Sequence, residues 1–279
     1  MTSITQLYNN IKTFVLQTFE SKEEEDINLP IEVERLFEYI DGEMSIVDSP
    51  IILELSDNIM KLRITGNSFS TYSSTPFTYN GKVFVDWGDN SGIVEYTGGK
   101  LTHTYSSSAG HTVKIYGDIT SLGNYCFERC SSLTSVTIPS SVTSLGNNCF
   151  ENCTGLTSVT IPSSVTSLGT GCFASCTGLT SIDIPNGVTN LRNSCFYNCR
   201  SLTSITIPNS VTSIEGYCFS NCTSLAYIYL NWTSTEIITY NNTWIGNTSS
   251  NLLFHIPNST TSLYTAKGYP SNKLLEVGD

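Results

Sequence analysis

Leu133-Thr-Ser-Val-Thr-Ile-Pro139 returns as Leu156-Thr-Ser-Val-Thr-Ile-Pro162, Leu179-Thr-Ser-Ile-Asp-Ile-Pro185 and Leu202-Thr-Ser-Ile-Thr-Ile-Pro208, each copy 23 residues after the last. A degenerate fifth, Leu225-Ala-Tyr-Ile-Tyr-Leu230, keeps the step. Between the copies recur Val-Thr-Ser-Leu-Gly and Cys-Phe-x-x-Cys, whose first cysteines are Cys126, Cys149, Cys172, Cys195 and Cys218. One such unit cannot bury its apolar set alone, so a fixed period of this length predicts stacked coils around one continuous core. Stacking aligns Leu133, Val136, Ile138, Val142, Leu145 and Phe127 with their counterparts. Proline after the strand removes a donor and ends each ladder. Gly146 and its equivalents supply a tight corner, and parallel strands follow one another at ~4.8 Å per coil.

A 20-to-29-residue period with L-x-x-[VI]-x-I spacing is that of a leucine-rich-repeat solenoid. The fuller pattern L-x-x-V-x-I-P-x-x-V-x-x-[LI]-x-x-x-[AC]-F-x-x-C resembles the BspA-like leucine-rich-repeat family of bacterial and protozoan surface proteins. Leu253-Phe-His-Ile-Pro257, followed by Tyr264, Gly268 and Tyr269, is similar to that family's closing segment, a strand ending in proline and then a short helix. The resemblance covers roughly residues 119–279 and implies a cap over the last coil's apolar edge. It departs from the family at the first cysteine of each Cys-Phe-x-x-Cys, which is commonly alanine there.

Working outward, the stretch from Pro50 to Gly117 has period two. Ile51–Leu55, Met60–Ile64, Lys82–Trp87, Ile93–Tyr96, Leu101–Tyr105 and Thr112–Tyr116 are strand candidates, parted by Asn80-Gly81, Gly88-Asp89-Asn90, Gly98-Gly99 and Ala109-Gly110. Short strands with regular turns predict a small β-sandwich. Val85-Asp-Trp-Gly-Asp-Asn90, then Thr102-His-Thr-Tyr105 and Gly110-His-Thr-Val-Lys-Ile115, resemble the PKD-type immunoglobulin-like sandwich. Asn90 stands where that family has glycine, and asparagine also tolerates positive φ. The resemblance implies a spacer or adhesion module and no chemistry. Further upstream, Ile4, Leu7, Tyr8, Ile11, Phe14, Val15 and Phe19 form one helical stripe over residues 1 to about 28. Glu23-Glu24-Glu25-Asp26 follows as a solvated break, and Pro30 to Ile40 reads as a second short helix with Gly42 past its end. The stripe either packs on the next module or serves as an oligomerisation or attachment handle.

The expected fold is therefore mainly β. A helical segment (1–47) and an immunoglobulin-like β-sandwich (48–118) precede a leucine-rich-repeat solenoid of 23-residue repeats (119–250) and a C-terminal cap (251–279).

Charged residues are only 13% of the 279, and serine, threonine and asparagine replace them on the surface. The formal net charge of -11 is concentrated between Glu20 and Asp57, where thirteen acids face Lys22 and Arg35. From Ile119 to Leu230 four acids nearly balance three bases, so the basic stripe of a nucleic-acid binder is missing. No run of eighteen apolar residues predicts a membrane span. Met1 to Phe19 lacks the basic start, apolar block and small-residue cleavage site of a signal peptide, which leaves the export route open. Six N-x-[ST] sequons, at Asn152, Asn221, Asn231, Asn241, Asn247 and Asn258, matter only along a glycosylating route.

All ten cysteines fall in the repeats as five pairs four apart. Cysteine in place of alanine beside a repeated phenylalanine reads as a small buried apolar ladder. Disulfides within or between coils are the alternative, and metal sites a weaker one, since no histidine lies between Ile119 and Leu230. His103, His111 and His255 are scattered over two modules and form no triad pattern. Asp86 and Asp89 flank Trp87 in a turn with too few oxygens for a calcium cage. The chain is thus expected to be non-enzymatic and to carry no cofactor or metal.

What remains is the surface. The outward positions of the repeated strand make a hydroxyl ladder from which Thr134, Thr137, Thr157, Thr160, Asp183, Thr203, Thr206, Tyr227 and Tyr229 are the candidate ligand-binding residues. Threonine is also simply a good strand former, whereas Asp183 and exposed tyrosines favour recognition. Tyr229, Trp232, Tyr240 and Trp244 form either a lectin-like edge or the solenoid's end packing. Resemblance implies adhesion at a cell surface or outside the cell, with a protein or glycan bound on the strand face. The alternative is a structural or assembly part of a surface layer or virion, attached through the acidic helical residues 1–40.

Overall fold

In the computed structural model, residues 37–40, 43–46, 59–232 and 237–277 are described, and the chain divides into two units, Met1–Ile59 and Met60–Asp279. Within the first, β1 (Phe37–Ile40) pairs antiparallel with β2 (Glu43–Ile46) in the register Ile40↔Glu43 and Phe37↔Ile46. The last turn of the expected Pro30–Ile40 helix is therefore strand. The dipeptide Asp41-Gly42 between the two strands is a hairpin signal that outweighs a marginal helical period. The remainder of both expected helices lies outside the described residues.

The second unit begins with β3 (Ile59–Ile64), β4 (Ser68–Ser70), β5 (Phe77–Asp86), β6 (Ile93–Tyr96), β7 (Thr102–Thr104) and the long β8 (His111–Leu122). The repeats supply β9 (Leu133–Thr137), β10 (Ser144–Leu145), β11 (Ser158–Thr160), β12 (Ser167–Leu168), β13 (Asn190–Leu191), β14 (Ser204–Ile207), β15 (Ser213–Ile214) and β16 (Tyr227–Leu230). The chain closes with β17 (Leu253–Pro257), the helix α1 (Thr261–Ala266) and β18 (Leu274–Val277).

Two parallel ladders run the length of the coils. The longer strands pair as β9–β11 and β14–β16–β17–β18, with Val136↔Val159, Ile205↔Ile228 and Ile228↔Phe254 in register. The second ladder stacks β8–β10–β12–β13–β15 through Leu122, Leu145, Leu168, Leu191 and Ile214. The third coil contributes no longer strand, only the bridge Asp183↔Thr206. Aspartate replaces threonine there, and aspartate is depleted in strands.

The third side of each coil is the Cys-Phe-x-x-Cys turn. Phe127, Phe150, Phe173, Phe196 and Phe219 are fully buried. Centroids of successive rings lie 5.3, 5.3, 5.6 and 5.6 Å apart, nearly parallel after the first pair. A residue with positive φ precedes each cysteine, from Tyr125 and Arg129 in the first coil to Tyr217 and Asn221 in the fifth. Gly146 and Gly169 are needed for close approach rather than for φ. A Cβ on Gly169 would lie 2.4 Å from the Gly146 carbonyl carbon, so this corner is where coils come nearest.

The module ahead of the repeats is fused to the solenoid. β3 pairs antiparallel with the first repeat strand, placing Leu62 opposite Val136 and Lys61 opposite Thr137, and it also neighbours β8. β8 runs through the expected boundary at residue 118, pairing with β5 along one side and opening the coil ladder with Ser121↔Ser144. A self-contained immunoglobulin-like sandwich is not what these pairings make. β3, β5 and β8 belong to the solenoid's own ten-stranded sheet, with only β4–β7 as a separate layer. The reason is the exposed apolar edge of the first coil, which the module closes. Phe69 and Phe77 stand 6.5 and 6.2 Å from the Phe127 ring and end the phenylalanine stack. At the opposite end Trp244 tilts onto Phe219, and Tyr264 donates its hydroxyl to the Trp232 carbonyl at 2.9 Å. Trp232, Tyr240 and Trp244 thus belong to end packing.

Candidate ligand-binding face

The outward side chains of the longer ladder form two rows. One runs Lys61, Thr137, Thr160, then Asp183, Thr206, Tyr229, His255 and Leu275. The other includes Arg63, Ser135, Ser158, then Ser204, Tyr227 and Leu253. The face therefore changes chemistry along its length, from two cations through hydroxyls and one carboxylate to an aromatic and aliphatic end.

Of the nine candidate residues, Thr137, Thr160, Asp183, Thr206, Tyr227 and Tyr229 lie in these rows, and all but the half-buried Tyr229 are exposed. Thr134, Thr157 and Thr203 sit one residue before the second row, Thr134 within β9 and the other two just ahead of β11 and β14. The Thr134 hydroxyl donates to the Arg63 carbonyl at 3.1 Å and the Thr157 hydroxyl to the Thr134 carbonyl at 3.0 Å, so both tie one layer to the next. The Thr203 carbonyl accepts from the Ala226 amide at 2.9 Å in the same series.

At the aromatic end the structure gathers Tyr227, Tyr229 and His255. The His255 ring lies 4.5 Å from Tyr229 and 5.0 Å, edge to face, from Tyr227, a residue 40% exposed. Both His255 ring nitrogens are shielded from solvent and have no hydrogen-bond partner among the described residues. Burial also pushes its pKa below the ordinary value, which favours the neutral imidazole. Leu275 and Val277 extend the patch, both substantially exposed. His255 was legible in principle. Aligning His255-Ile-Pro with the Thr-Ile-Pro of earlier coils puts it in the Thr206 and Tyr229 row.

The cysteines form two buried ladders of free thiols. Each second thiol donates to the phenylalanine carbonyl one coil back. Cys153 reaches Phe127 at 2.9 Å, and Cys176, Cys199 and Cys222 reach Phe150, Phe173 and Phe196 at 3.1 Å. Cys130 has no preceding coil and donates to the Ser70 carbonyl of β4 at 3.2 Å instead. Burial raises the pKa of Cys130, to about 12, and of Cys153 and Cys176, while Cys199 is raised first by the neighbouring Cys222 thiol and then by burial. Desolvated thiols of this kind are inert rather than nucleophilic.

The turn around Trp87 is also internally satisfied. Asp86 accepts from the Gly88 amide at 2.8 Å, and Asp89 accepts from the Ser91 hydroxyl and approaches His103 Nε2 at 2.7 Å. The Ser91 hydroxyl, and then His103, hold the Asp89 carboxyl far below the usual carboxylate range. His103 stacks on Trp87 at 4.7 Å, and His111 on Tyr105 at 3.8 Å. Among the described residues no group of three or more His, Cys, Asp or Glu is placed to hold a metal, and no helix is long and apolar enough to cross a membrane.

A capped parallel-β solenoid with a chemically graded strand face defines a class of repeat-built proteins. The family model described as the BspA type leucine rich repeat region matches in six copies over residues 102–226 and 143–266, more than half of the chain. The chain belongs to that family. No curated protein matches it. Among solved structures it is similar to a leucine rich cell surface protein from Faecalibacterium prausnitzii, at 28% identity and TM-score 0.47 over 55% of this chain and 39% of that one. It is also similar to a leucine-rich repeat protein from Eubacterium ventriosum, at 32% identity and TM-score 0.36 over 40% and 29%. The pneumococcal vaccine antigen PcpA aligns at 14% identity and TM-score 0.47 over 58% and 46%. The chain thus spans less than half the length of these three proteins.

Proposed function

We propose that this chain is a non-enzymatic adhesion and ligand-binding protein of a cell surface, and that the aromatic end of its strand face takes a protein or glycan ligand. One observation carries the reading. Where earlier coils present serine, threonine and one aspartate, the last repeat strand and the closing segment present Tyr227, Tyr229, His255 and Leu275 side by side. An apolar and aromatic patch on an otherwise hydroxyl-bearing sheet is the composition of a recognition surface, and tyrosine is favoured at binding hot spots. In this reading residues 119–250 are the binder, 251–279 the closing cap, and 48–118 the module that holds the solenoid's other end. Thr137, Thr160, Asp183 and Thr206 extend the contact surface, while Thr134, Thr157 and Thr203 serve the scaffold beneath it. Cell-surface placement rests on the likeness of the repeats to a family of surface proteins.

The test is a screen of the purified full chain against extracellular-matrix protein and glycan arrays, repeated with Tyr227→Ala/Tyr229→Ala. Saturable binding that falls roughly 10-fold or more in the variant supports the proposal. Binding indifferent to both tyrosines, or none at all, overturns it and moves the working end to the acidic residues 1–40.

A further inference from the structure

The turn side of the solenoid carries a second row of exposed aromatics, which the strand face does not explain. Tyr72, Tyr125 and Tyr217 are 48%, 42% and 58% exposed, more than any other aromatic side chain among the described residues. The Tyr72 and Tyr125 rings lie 6.4 Å apart at 54°, and the Lys100 ammonium stands 5.7 Å from the Tyr72 centroid. Tyr125 and Tyr217 occupy the same step of the repeat, which is Asn148, Gly171 and Ser194 in the coils between them. The backbone ladder ties this row together. The amides of Tyr125, Asn148, Gly171, Ser194 and Tyr217 each donate to a carbonyl of the next layer, at 2.8 to 3.0 Å.

The backbone at this step is left-handed in every coil, with φ of 59° at both tyrosines. Asparagine and glycine accept that conformation, and a bulky ring does not favour it. Asn148 and Gly171 show that the coil needs no side-chain bulk here. Tyrosine is kept twice against backbone preference, with its ring in solvent, and strain of that kind gathers where function holds it.

We infer that the ridge from Tyr72 and Tyr125 to Tyr217 binds a linear, neutral polysaccharide. Four steps of ~4.8 Å separate the two tyrosines of the row by about 19 Å. Each step is close to the length of one pyranose in an extended chain. Tyrosine faces at the two ends cover the C–H-lined faces of sugar rings, which buries apolar surface without a shaped pocket. The floor between is hydroxyl and amide, with Asn147 and Thr170 exposed beside it, and suits sugar hydroxyls better than an apolar protein surface. The repeats that carry the row are nearly neutral, with four acids against three bases between Ile119 and Leu230, which matches a neutral rather than a charged chain.

The experiment is affinity electrophoresis of the full chain through gels holding soluble β-glucan, xylan, mannan or starch. It compares the native protein with Tyr125→Asn/Tyr217→Asn and, separately, Tyr227→Ala/Tyr229→Ala. Asparagine already occupies this step in the second coil, so the first variant should melt at the same temperature or higher. The inference predicts retardation by at least one polysaccharide, weakened more than 10-fold in the ridge variant and unchanged in the strand-face variant. Retardation that survives in the ridge variant, or no retardation by any of the four polymers, overturns it, whichever way the strand-face screen comes out.

Discussion

Raising the pH from 8 to 10 should unfold this protein within a narrow window, because its interior is lined with thiols that must stay protonated. Nine of the ten buried cysteines have pKa values raised above the ordinary 9.0, with burial the first cause for all but Cys199, where the neighbouring Cys222 thiol comes first. For an acid whose folded pKa is raised, the stabilisation is fully present below the unfolded value. It is lost above that value, because the unfolded chain releases protons that the folded chain keeps. Against an unfolded value of 9.0, each thiol that stays protonated in the fold costs RT ln(1 + 10^(pH − 9)), under about half a kcal/mol at pH 9 and between about 1 and 2 kcal/mol at pH 10. Nine of them sum to about 4 and then about 13 kcal/mol, against a total stability of about 5–15 kcal/mol for a typical domain. Far-ultraviolet circular dichroism and thiolate absorbance, followed together through an alkaline titration under reducing conditions, should change in one coincident step between pH 9 and 10. Thiolate absorbance rising near pH 9 while the fold persists would refute the reasoning, since it would mean thiols open to solvent.

Two further predictions concern how coils are joined. Phe173→Ala empties a fully buried position stacked at 5.3 Å on Phe150 and 5.6 Å on Phe196, and should cost about 3–5 kcal/mol. Calorimetry should show the melting temperature down by about 10 °C, and a loss under about 1 kcal/mol would mean that the rings are not a continuous core. Gly169→Ala sets a methyl against the backbone of the preceding coil, 2.4 Å from Gly146, where no side chain can move aside. Urea titration should find it destabilised by roughly 1–3 kcal/mol, whereas the neighbouring exposed Thr170→Ala should change stability little.

How much of this was legible in the sequence follows from which interactions are local. The 23-residue step fixes every coil-to-coil register, because Leu145 can only stack on Leu168 once the copies are in phase. The buried cysteine ladder follows from the same step. The fusion of the upstream module was not legible. Met60–Ile64 reads correctly as a strand, but its partner is Leu133–Thr137 in the first coil, a pairing set by the need to cover that coil's apolar edge. The Ser70 carbonyl that receives the Cys130 thiol is likewise invisible without the fold. On the strand face, alternation alone separates inward from outward residues. It cannot tell that Thr134 and Thr157 direct their hydroxyls to backbone carbonyls of the adjoining layer. His255 escaped because the closing segment is 26 residues, rather than 23, beyond its counterpart Tyr229, so it drops out of a strict period although its strand stays in register.

The central claim is that ligand meets the strand face at its aromatic end, and hydrogen exchange of the full chain with and without the ligand found on the arrays tests it most directly. Slowed exchange should be confined to β14, β16, β17 and β18, where backbone amides lie beneath Thr206, Tyr227, Tyr229, His255 and Leu275. Protection falling instead on residues 1–40, with those four strands unchanged, would contradict it.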